Sequence, residues 1–278
     1  MRIIAVVNRK GGSGKTTTAV SLAAALAERG MRTLLIDLDP QASASLWLAE
    51  PARHKRLEDT FIGSREPESI ARPTDVPGLE IMASSNWLLT AEQSMKGNLG
   101  VAVMRALQRL KYNWAFVIID CPPSLSYLSV GALMGSREVI IPAEAHAIAL
   151  PGVRAVVAEM RRLQSSLNPS LFDPMIVACR VNRTIHSRQV VAQLGTIYGE
   201  LLAQATIRDS IRLPEAADAH EPITRYAPES GASLDYRLLA EELLARGYLH
   251  EMEPRRETRW WHIFHRTAQI DPTERRAI

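Results

Sequence analysis

Residues 11–15 form a run of glycines, one serine and one lysine, directly before three threonines. Glycines in such a run let backbone N–H groups turn towards phosphate oxygens, and a lysine neutralises phosphate charge. A phosphate-binding P-loop follows the pattern G-x-x-x-x-G-K-[ST], and residues 14–16 match its end. Arg9 stands where the pattern has its first glycine, and Lys10 follows it. The sequence therefore predicts a variant phosphate-binding loop.

The backbone amides of this loop, together with the helix after it, would hold the phosphates of a nucleotide. The residues expected to surround the phosphates are Gly11, Gly12, Ser13 and Gly14. Lys15 would reach the β- and γ-phosphates, and the Thr16 hydroxyl would bind Mg²⁺. The alternative is an ordinary glycine turn before a helix, which the strand–loop–helix order disfavours.

Two aspartates follow apolar runs that we expect to be strands. Asp39 lies in the sequence D-L-D-P-Q, and Asp120 ends the run V-I-I-D. Ligands of open α/β sheets bind at the carboxyl ends of the strands, so both carboxylates are predicted to face the nucleotide. Asp120 has the form of a Walker B aspartate, and the predicted metal-binding side chains are Thr16, Asp39 and Asp120. A helix N-cap is the alternative role for each aspartate.

The elements that must position these residues are short β-branched strands that alternate with helices. Predicted strands lie at 3–7, 33–36, 79–83, 114–119, 138–141, 174–181 and 205–207. Predicted helices lie at 16–29, 147–166, 187–203 and 232–246. This alternation favours a single α/β domain of the P-loop NTPase type, with a mostly parallel, twisted sheet flanked by helices on both faces.

Composition limits the classes of protein to consider. The 278 residues are 46% hydrophobic and 23% charged, which favours a globular domain over a disordered chain. The formal net charge of +3 permits a polyanionic partner without establishing one. The chain has no run of 18 apolar residues and no signal peptide, and its two cysteines fit a reducing compartment. We therefore expect a cytoplasmic protein.

Two regions depart from the strand–helix alternation. Residues 50–78 carry four prolines and are predicted to be a surface excursion from the main domain, which we expect to span residues 1–246. Residues 247–278 form a tail with two tryptophans and six arginines. At helical spacing its apolar side chains share one face beside the arginines, which is typical of an interfacial membrane helix. The alternatives are that the tail docks on the body of the protein or on a partner, or that it is disordered.

Taken together, the motifs resemble the ParA/MinD family of deviant Walker A ATPases. They are K-G-G-S-G-K-T-T-T at 10–18, D-L-D-P-Q at 37–41, I-I-D-C-P-P-S at 118–124, I-I-P-A-E at 140–144, I-R-L-P-E-A at 211–216 and S-L-D-Y-R-L-L-A-E-E-L at 233–243. The resemblance covers about residues 1–246 and is closer to the ParA (Soj) branch than to MinD.

The resemblance implies a homodimer that forms on ATP binding and encloses two ATP molecules with Mg²⁺. Lys10 would cross to the partner's phosphates and neutralise charge that develops during hydrolysis. Asp39 would orient or activate the attacking water, and Thr17 would support the α-phosphate. Gly11 would lie where the two loops nearly touch. The predicted catalytic residues are Lys10, Lys15, Asp39 and Asp120.

ATP-bound dimers of the ParA type bind DNA without sequence preference, which implies association with the nucleoid. The arginines at matching or neighbouring positions are Arg183, Arg188, Arg208 and Arg212. Displacement of counterions by such cations suffices for this binding, although a scattered arginine is often simply solvated. A ParB-like or cargo-adaptor protein is the implied partner that stimulates hydrolysis, and the cargo stays open between chromosome, plasmid and protein compartment.

Several alternatives remain beside this interpretation. Asn182 resembles the residue that contacts adenine in MinD-like proteins, but a loop asparagine also forms turns of its own. The main alternative function is a MinD-like membrane-surface ATPase that uses the tail. A P-loop kinase or synthetase, an iron–sulfur reductase and a purely structural protein fit the motifs less well. Because the first strand begins at once, we expect no operator-reading domain before it.

Overall fold

The computed structural model describes residues 1–48, 57–95, 97–111, 113–146 and 149–252. The strands are β1 (Arg2–Val6), β2 (Thr33–Asp37), β3 (Arg72–Pro73), β4 (Leu79–Met82), β5 (Phe116–Asp120), β6 (Glu138–Glu144) and β7 (Met175–Cys179). The helices are α1 (Lys15–Glu28), α2 (Ser43–Leu48), α3 (Leu57–Phe61), α4 (Trp87–Ser94), α5 (Gly97–Gln108), α6 (Tyr127–Gly135), α7 (Ala149–Gln164), α8 (Ile185–Tyr198), α9 (Arg212–Asp218), α10 (Ile223–Tyr226) and α11 (Gly231–Met252). Short 3₁₀ helices lie at Pro67–Ser69 and Gly199–Leu201.

The strands form one seven-stranded sheet with the order β3-β4-β2-β5-β1-β6-β7. Every pair of neighbouring strands is parallel except β3 and β4, which are antiparallel. In the register of β2 and β5, Asp37 lies beside Asp120, and Asp120 also lies beside Val6 of β1. The predicted α/β fold is confirmed, and its parallel register brings the ends of three central strands together.

Two apolar cores cover the two faces of the sheet. Ile4 and Val6 of β1 join one core, whose helical side comes from α1, α2, α9, α10 and α11. Ala5 joins the other core, which α3 to α8 cover. Because both faces are buried, the central strands have apolar residues at consecutive positions rather than at alternate ones. This explains why the strands were visible in the sequence as short apolar runs.

Helix α1 carries the phosphate loop at its N-terminus and is buried along most of its length. Its alanines allow close packing against the sheet and α11, where the Tyr236 hydroxyl lies 3.4 Å from Oγ1 of Thr18. The helix ends where Gly30 adopts a φ of 75° and donates its N–H to the Ala27 carbonyl at 2.9 Å. The predicted helix and its glycine terminus are confirmed.

The predicted strand at 205–207 is wrong. The segment runs beside β7 but forms only isolated bridges, between Leu202 and Ile176 and between Arg208 and Val181. Between these bridges, the amides of residues 204 and 205 donate to the Glu242 carboxylate of α11 at 3.1 and 2.9 Å. Because a side chain takes these amides, a continuous ladder with β7 does not form.

The description of residues 50–78 as a surface excursion is wrong for residues 57–78. Leu57, Ile70 and Val76 are almost fully buried in the two cores. The strand β3 extends the main sheet at its edge by pairing with β4. Residues 57–78 therefore belong to the main fold rather than to its surface.

Helix α11 runs through the predicted boundary at 246 and reaches Met252. The proposed apolar face of the tail, formed by Trp260, Ile263, Phe264 and Thr267, lies outside the described residues. Within the described ranges, none of the helices has the length and apolar character needed to cross a membrane.

The contact between α5 and α6 depends on a glycine, which gives a first prediction. A Cβ added at Gly131 would lie 2.6 Å from the Gly100 carbonyl oxygen and 2.8 Å from Cβ of Val103. We expect Gly131→Ala to lower the free energy of unfolding by about 1–3 kcal/mol through overpacking, measured by urea denaturation. The control is Gly195→Ala in α8, where the nearest atom is 3.8 Å away and we expect a gain of about 0.5–1 kcal/mol. Equal effects of the two substitutions would contradict this account of the α5–α6 contact.

Candidate functional site

The glycine-rich loop connects the end of β1 to the first residue of α1. Gly12 and Gly14 have φ angles of 73° and 90°, in the left-handed region that favours glycine. Gly14 precedes the helix and provides no side-chain cap, so the first amides of α1 are available to an external acceptor. Ser13 is buried and its hydroxyl has no hydrogen-bond partner in the described chain. Thr16 and Thr17 follow in the first turn of α1. This arrangement suits an anion.

Asn8 holds the base of this loop. Its side chain is fully buried, and Nδ2 donates to the Pro142 carbonyl of β6 at 2.6 Å. Oδ1 accepts the backbone N–H of Lys10 at 3.1 Å. A Cβ at Gly152 of α7 would lie only 2.8 Å from the same Oδ1. Sequence reasoning missed Asn8, although a polar residue directly after an apolar strand was a usable signal.

Lys15 folds back over the loop. Its Nζ donates to the Lys10 carbonyl at 3.2 Å, and the residue is only 6% exposed. Burial lowers the pKa of Lys15, while the negative charges of Asp120 and Asp39 oppose that change. The ammonium group therefore lies between the loop and the carboxylates, where a bound phosphate group would compensate its desolvation.

Asp120 is fully buried, and neither of its carboxylate oxygens accepts a hydrogen bond of regular geometry in the described chain. Burial raises its pKa well above the ordinary value, and the neighbouring Asp37 carboxylate raises it further. The nearby Thr16 hydroxyl and the Lys15 charge lower it in part. A buried carboxylate without partners is costly, so this position suits a cation.

Asp37 is also fully buried, and burial raises its pKa to about 6. Unlike Asp120, it accepts hydrogen bonds, from the backbone N–H of Asp39 at 3.0 Å and from the N–H and hydroxyl of Ser45 at 2.8 and 2.6 Å. Asp39 itself is 7% exposed, and its Oδ1 accepts the Gln41 N–H at 2.9 Å. Sequence reasoning chose Asp39 and missed the role of Asp37 in the same motif.

The donor set fits a nucleotide phosphate with a divalent cation. The Thr16 hydroxyl and the Asp120 carboxylate lie together at the N-terminus of α1, beside amides that can bind phosphate. In the described ranges, no group of three or more His, Cys, Asp or Glu residues could hold a metal ion without other ligands. Phosphate oxygens and water would therefore supply the remaining ligands of Mg²⁺, as this ion prefers.

Lys10 lies at the rim of the loop and forms an ion pair with Glu144 at the end of β6. The hydrogen bond from Lys10 lowers the pKa of Glu144, and the charges of Lys10 and Arg180 act in the same direction. Arg180 approaches Glu144 at 3.4 Å and Asp209 at 3.6 Å. The lysine predicted to act across a dimer thus contacts its own chain here, and the role predicted from the sequence remains a prediction.

Asn182 forms a turn of its own. Its Oδ1 accepts the backbone N–H of Thr184 at 3.1 Å and the Thr184 hydroxyl at 2.6 Å. Thr184 in turn caps α8 by accepting the N–H of Ser187 at 3.1 Å. The structure therefore supports the alternative that the sequence left open, while contact with adenine stays a prediction.

The four candidate DNA-binding arginines fall into two groups. Arg183 and Arg188 are exposed, and within the described ranges neither has an acidic ion-pair partner. The Arg208 guanidinium donates two hydrogen bonds to Asp235 of α11 at 2.7 and 2.8 Å, which neutralise its charge, and the Arg208 N–H donates a third at 2.9 Å. Arg212 is exposed but pairs with Glu215 one turn along α9, at 2.9 Å. The structure assigns Arg208 a role in tethering the 208 loop to α11.

The comparisons with known proteins agree with this geometry. A family model described as an AAA domain matches residues 1–172. The chain is similar to the chromosome-partitioning ATPase Soj of Thermus thermophilus, with 37% identity over 88% of this chain and 96% of that protein.

Solved structures share the fold over most of the chain. A cobyrinic acid a,c-diamide synthase from Mycobacterium smegmatis, with a bound ATP analogue and magnesium, matches with a TM-score of 0.77 and 30% identity over 92% of this chain and 100% of that one. The septum site-determining protein MinD from Pyrococcus horikoshii, complexed with Mg-ADP, matches with a TM-score of 0.72 and 23% identity over 89% of this chain and 98% of that one. The second likeness shows a common fold.

The raised pKa of Asp37 predicts a pH dependence. Asp37 faces the carboxylates of Asp39 and Asp120. Between pH 4 and 6 the folded chain keeps a proton on Asp37 that the unfolded chain has released, so rising pH destabilises the fold through this group. We expect the free energy of unfolding of the nucleotide-free protein to fall by roughly 1–3 kcal/mol relative to Asp37→Asn over this window. Urea denaturation at several pH values measures it, and parallel curves for the two proteins would refute the assignment.

Proposed function

Because this chain belongs to the ParA/Soj family of P-loop ATPases, we propose that it hydrolyses ATP to position or segregate a cargo, as an ATP-dependent dimer on DNA. The observation that carries the proposal is the juxtaposition of the glycine loop, Lys15, Thr16 and the unpartnered carboxylate of Asp120. Mg²⁺ and ATP are the proposed cofactors because these groups suit a phosphate with a divalent cation.

The chain's own groups would bind the phosphates and hold the cation. The amides of the loop and of the first turn of α1 would donate to phosphate oxygens. Lys15 would exchange its hydrogen bond to the Lys10 carbonyl for one to phosphate. When bound, Mg²⁺ would supply the positive charge that the buried carboxylates lack, with Thr16 and Asp120 to hold it.

Asp39 is the proposed group for the attacking water. Its Oδ1 is held by the Gln41 amide, which leaves Oδ2 to accept a hydrogen bond from water. The residue is nearly buried at the carboxyl edge of the sheet, on the same side as Asp120. Hydrolysis would then depend on the position of one short loop after β2.

Lys10 would act between two subunits. In this structure Glu144 holds it at the rim of its own loop, and the lysine side chain is 29% exposed. Dimerisation would bring its ammonium group to the phosphates of the partner subunit, where it would stabilise developing negative charge. Glu144 would then share or release the lysine when the two subunits meet.

A substitution at Gly11 separates nucleotide binding from dimerisation. A Cβ at Gly11 meets no atom within 4 Å, and its φ is not in the left-handed region. We therefore expect Gly11→Val to bind ATP within about threefold of the unmodified protein but to remain a monomer in light scattering with ATP. The side chain would collide only where two loops approach each other.

Gly12→Val is the matched control for this experiment. Gly12 also has no atom within 4 Å of an added Cβ, but its φ of 73° strains any L side chain. We expect this variant to lose ATP affinity by tenfold or more. An ATP-dependent dimer of Gly11→Val would overturn the proposed face-to-face arrangement.

The proposed DNA-binding surface comprises residues 182–188, which lead into the first turn of α8, and residues 209–212, which lead into α9. The exposed cations Arg183, Arg188 and Arg212 lie on these two segments, and the bridge between Val181 and Arg208 holds the segments side by side. Phosphate contacts of this kind need no base readout, so binding would be independent of sequence. The bound state would place the protein on the nucleoid, and a ParB-like or cargo-adaptor protein is the proposed stimulating partner.

Charge reversal tests this surface. We expect Arg183→Glu combined with Arg212→Glu to reduce retention on bulk DNA by tenfold or more at low salt, with ATP affinity unchanged, because like charges repel the phosphates. The control is Arg162→Glu in α7, an exposed arginine that also has an acidic partner, Glu159. The unmodified protein should also hydrolyse ATP faster with DNA, which separates a partition ATPase from an ATP-dependent synthase. Unchanged DNA retention by the double variant would exclude this surface.

A further inference from the structure

Asp37 stands beside the proposed catalytic machinery without a role in it. We propose that Asp37 is a positioning residue: through a closed ring of hydrogen bonds with Ser45 and Ser84 it holds the backbone of Asp39 and so aims the Asp39 carboxylate. This inference rests on the proposed ATP hydrolysis and assigns residues that act through Asp39.

The ring holds Asp39 from both sides. The Asp39 N–H donates to Oδ1 of Asp37 at 3.0 Å, and the Asp39 carbonyl accepts the Ser84 hydroxyl at 2.7 Å. Ser45 closes the ring because its hydroxyl donates to Oδ2 of Asp37 at 2.6 Å and accepts the Ser84 N–H at 2.8 Å. A side chain therefore binds the Asp39 N–H, and the Asp39 carbonyl accepts the Ala42 N–H at 2.8 Å in addition to the Ser84 hydroxyl.

The ring spans three elements that the sequence separates. Asp37 ends β2, Ser45 lies in the first turn of α2, and Ser84 follows β4, the neighbour of β2 in the sheet. Between Asp37 and Ser45, Ala42 has a φ of 56°, a left-handed conformation that costs a residue other than glycine of order 1 kcal/mol. The surrounding contacts must therefore maintain this loop conformation.

A carboxylate suits the centre of this ring. Three donors converge on Asp37, namely the N–H groups of Asp39 and Ser45 and the Ser45 hydroxyl. An ionised carboxylate is an acceptor only, with about four lone-pair sites, whereas an asparagine amide would turn two N–H groups towards these donors. The three bonds use most of the acceptor capacity of Asp37, so we assign it no direct contact with phosphate or cation.

The hydroxyls of the ring allow a test that leaves the carboxylates in place. Ser45→Ala and Ser84→Ala each remove hydroxyl hydrogen bonds of the ring, at a distance from the Asp39 side chain. The control is Ser136→Ala. Ser136 is a buried serine between α6 and the start of β6, and its hydroxyl donates to the Ala132 carbonyl at 2.7 Å. We expect both ring variants to reduce kcat for ATP hydrolysis by tenfold or more with the Kd for a fluorescent ATP analogue within threefold. The control should lose comparable thermal stability and keep its kcat.

A double variant asks whether the ring acts through Asp39. In an Asp39→Ala background, Ser45→Ala should leave the residual single-turnover rate unchanged, because the carboxylate that the ring positions is gone. An unchanged kcat in both serine variants overturns the proposal. A further fall of the residual rate in the double variant also overturns it. So does a loss of kcat in the serine variants that is accompanied by an equal loss of ATP affinity.

Hydrogen exchange provides a readout that does not require hydrolysis. In the nucleotide-free protein, Ser45→Ala should lower the protection of the amides of residues 39 and 41–45 and leave the amides of α1 unchanged. Unchanged protection of these loop amides overturns the ring even if the protein hydrolyses no ATP. If the unmodified protein does not bind or hydrolyse ATP, the proposed function is contradicted instead. Failure of the ring and failure of the proposed function are therefore distinguishable.

Discussion

Repulsion between carboxylates at one end of the sheet is the constraint on which the site depends. Asp37 and Asp120 are fully buried neighbours in the register of β2 and β5, and Asp39 lies close to both. Burial and mutual repulsion raise the pKa of Asp120, which has no hydrogen-bond partner of its own in the described chain. Such a cluster is costly in a folded protein unless positive charge arrives. Lys15 compensates part of the negative charge of this cluster, and Mg²⁺ bound with ATP would compensate the rest.

The rest of the fold keeps these charges together against their repulsion. The parallel ladders fix the ends of the central strands at one edge, and apolar cores on both faces of the sheet prevent the strands from shifting. Asn8 ties the phosphate loop to β6, while Tyr236 and its neighbours hold α1 from the other side. The three carboxylates then differ in surroundings: Asp120 is unpartnered, Asp37 is saturated with donors, and Asp39 is partly free. This difference supports a division of roles between cation binding, loop support and water activation.

The phosphate loop and its neighbouring strands were predictable because their signals are local. Gly12 and Gly14 adopt the left-handed conformations for which glycine is selected, and Gly30 ends α1 as its position indicated. The absence of a strand at 205–207 was not predictable from propensity, since the distant Glu242 takes the amides that a ladder would need. The burial of Leu57 and Ile70 was hidden by the prolines and charges around them in the chain. A residue far along the sequence decided the first outcome, and packing into the main core decided the second.

The sequence by itself determined the chemistry available at the site: a glycine loop, two lysines and two aspartates at strand ends, in an order that resembles one family of ATPases. Only the tertiary structure decided which of these groups are free and which are committed. It pairs Lys10 with Glu144, neutralises Arg208 with Asp235, turns Asn182 onto Thr184 and closes Asp37 into a ring with Ser45 and Ser84. The physical reason is that charge and hydrogen-bonding capacity are satisfied by neighbours in space, and most of these neighbours come from other elements of the fold.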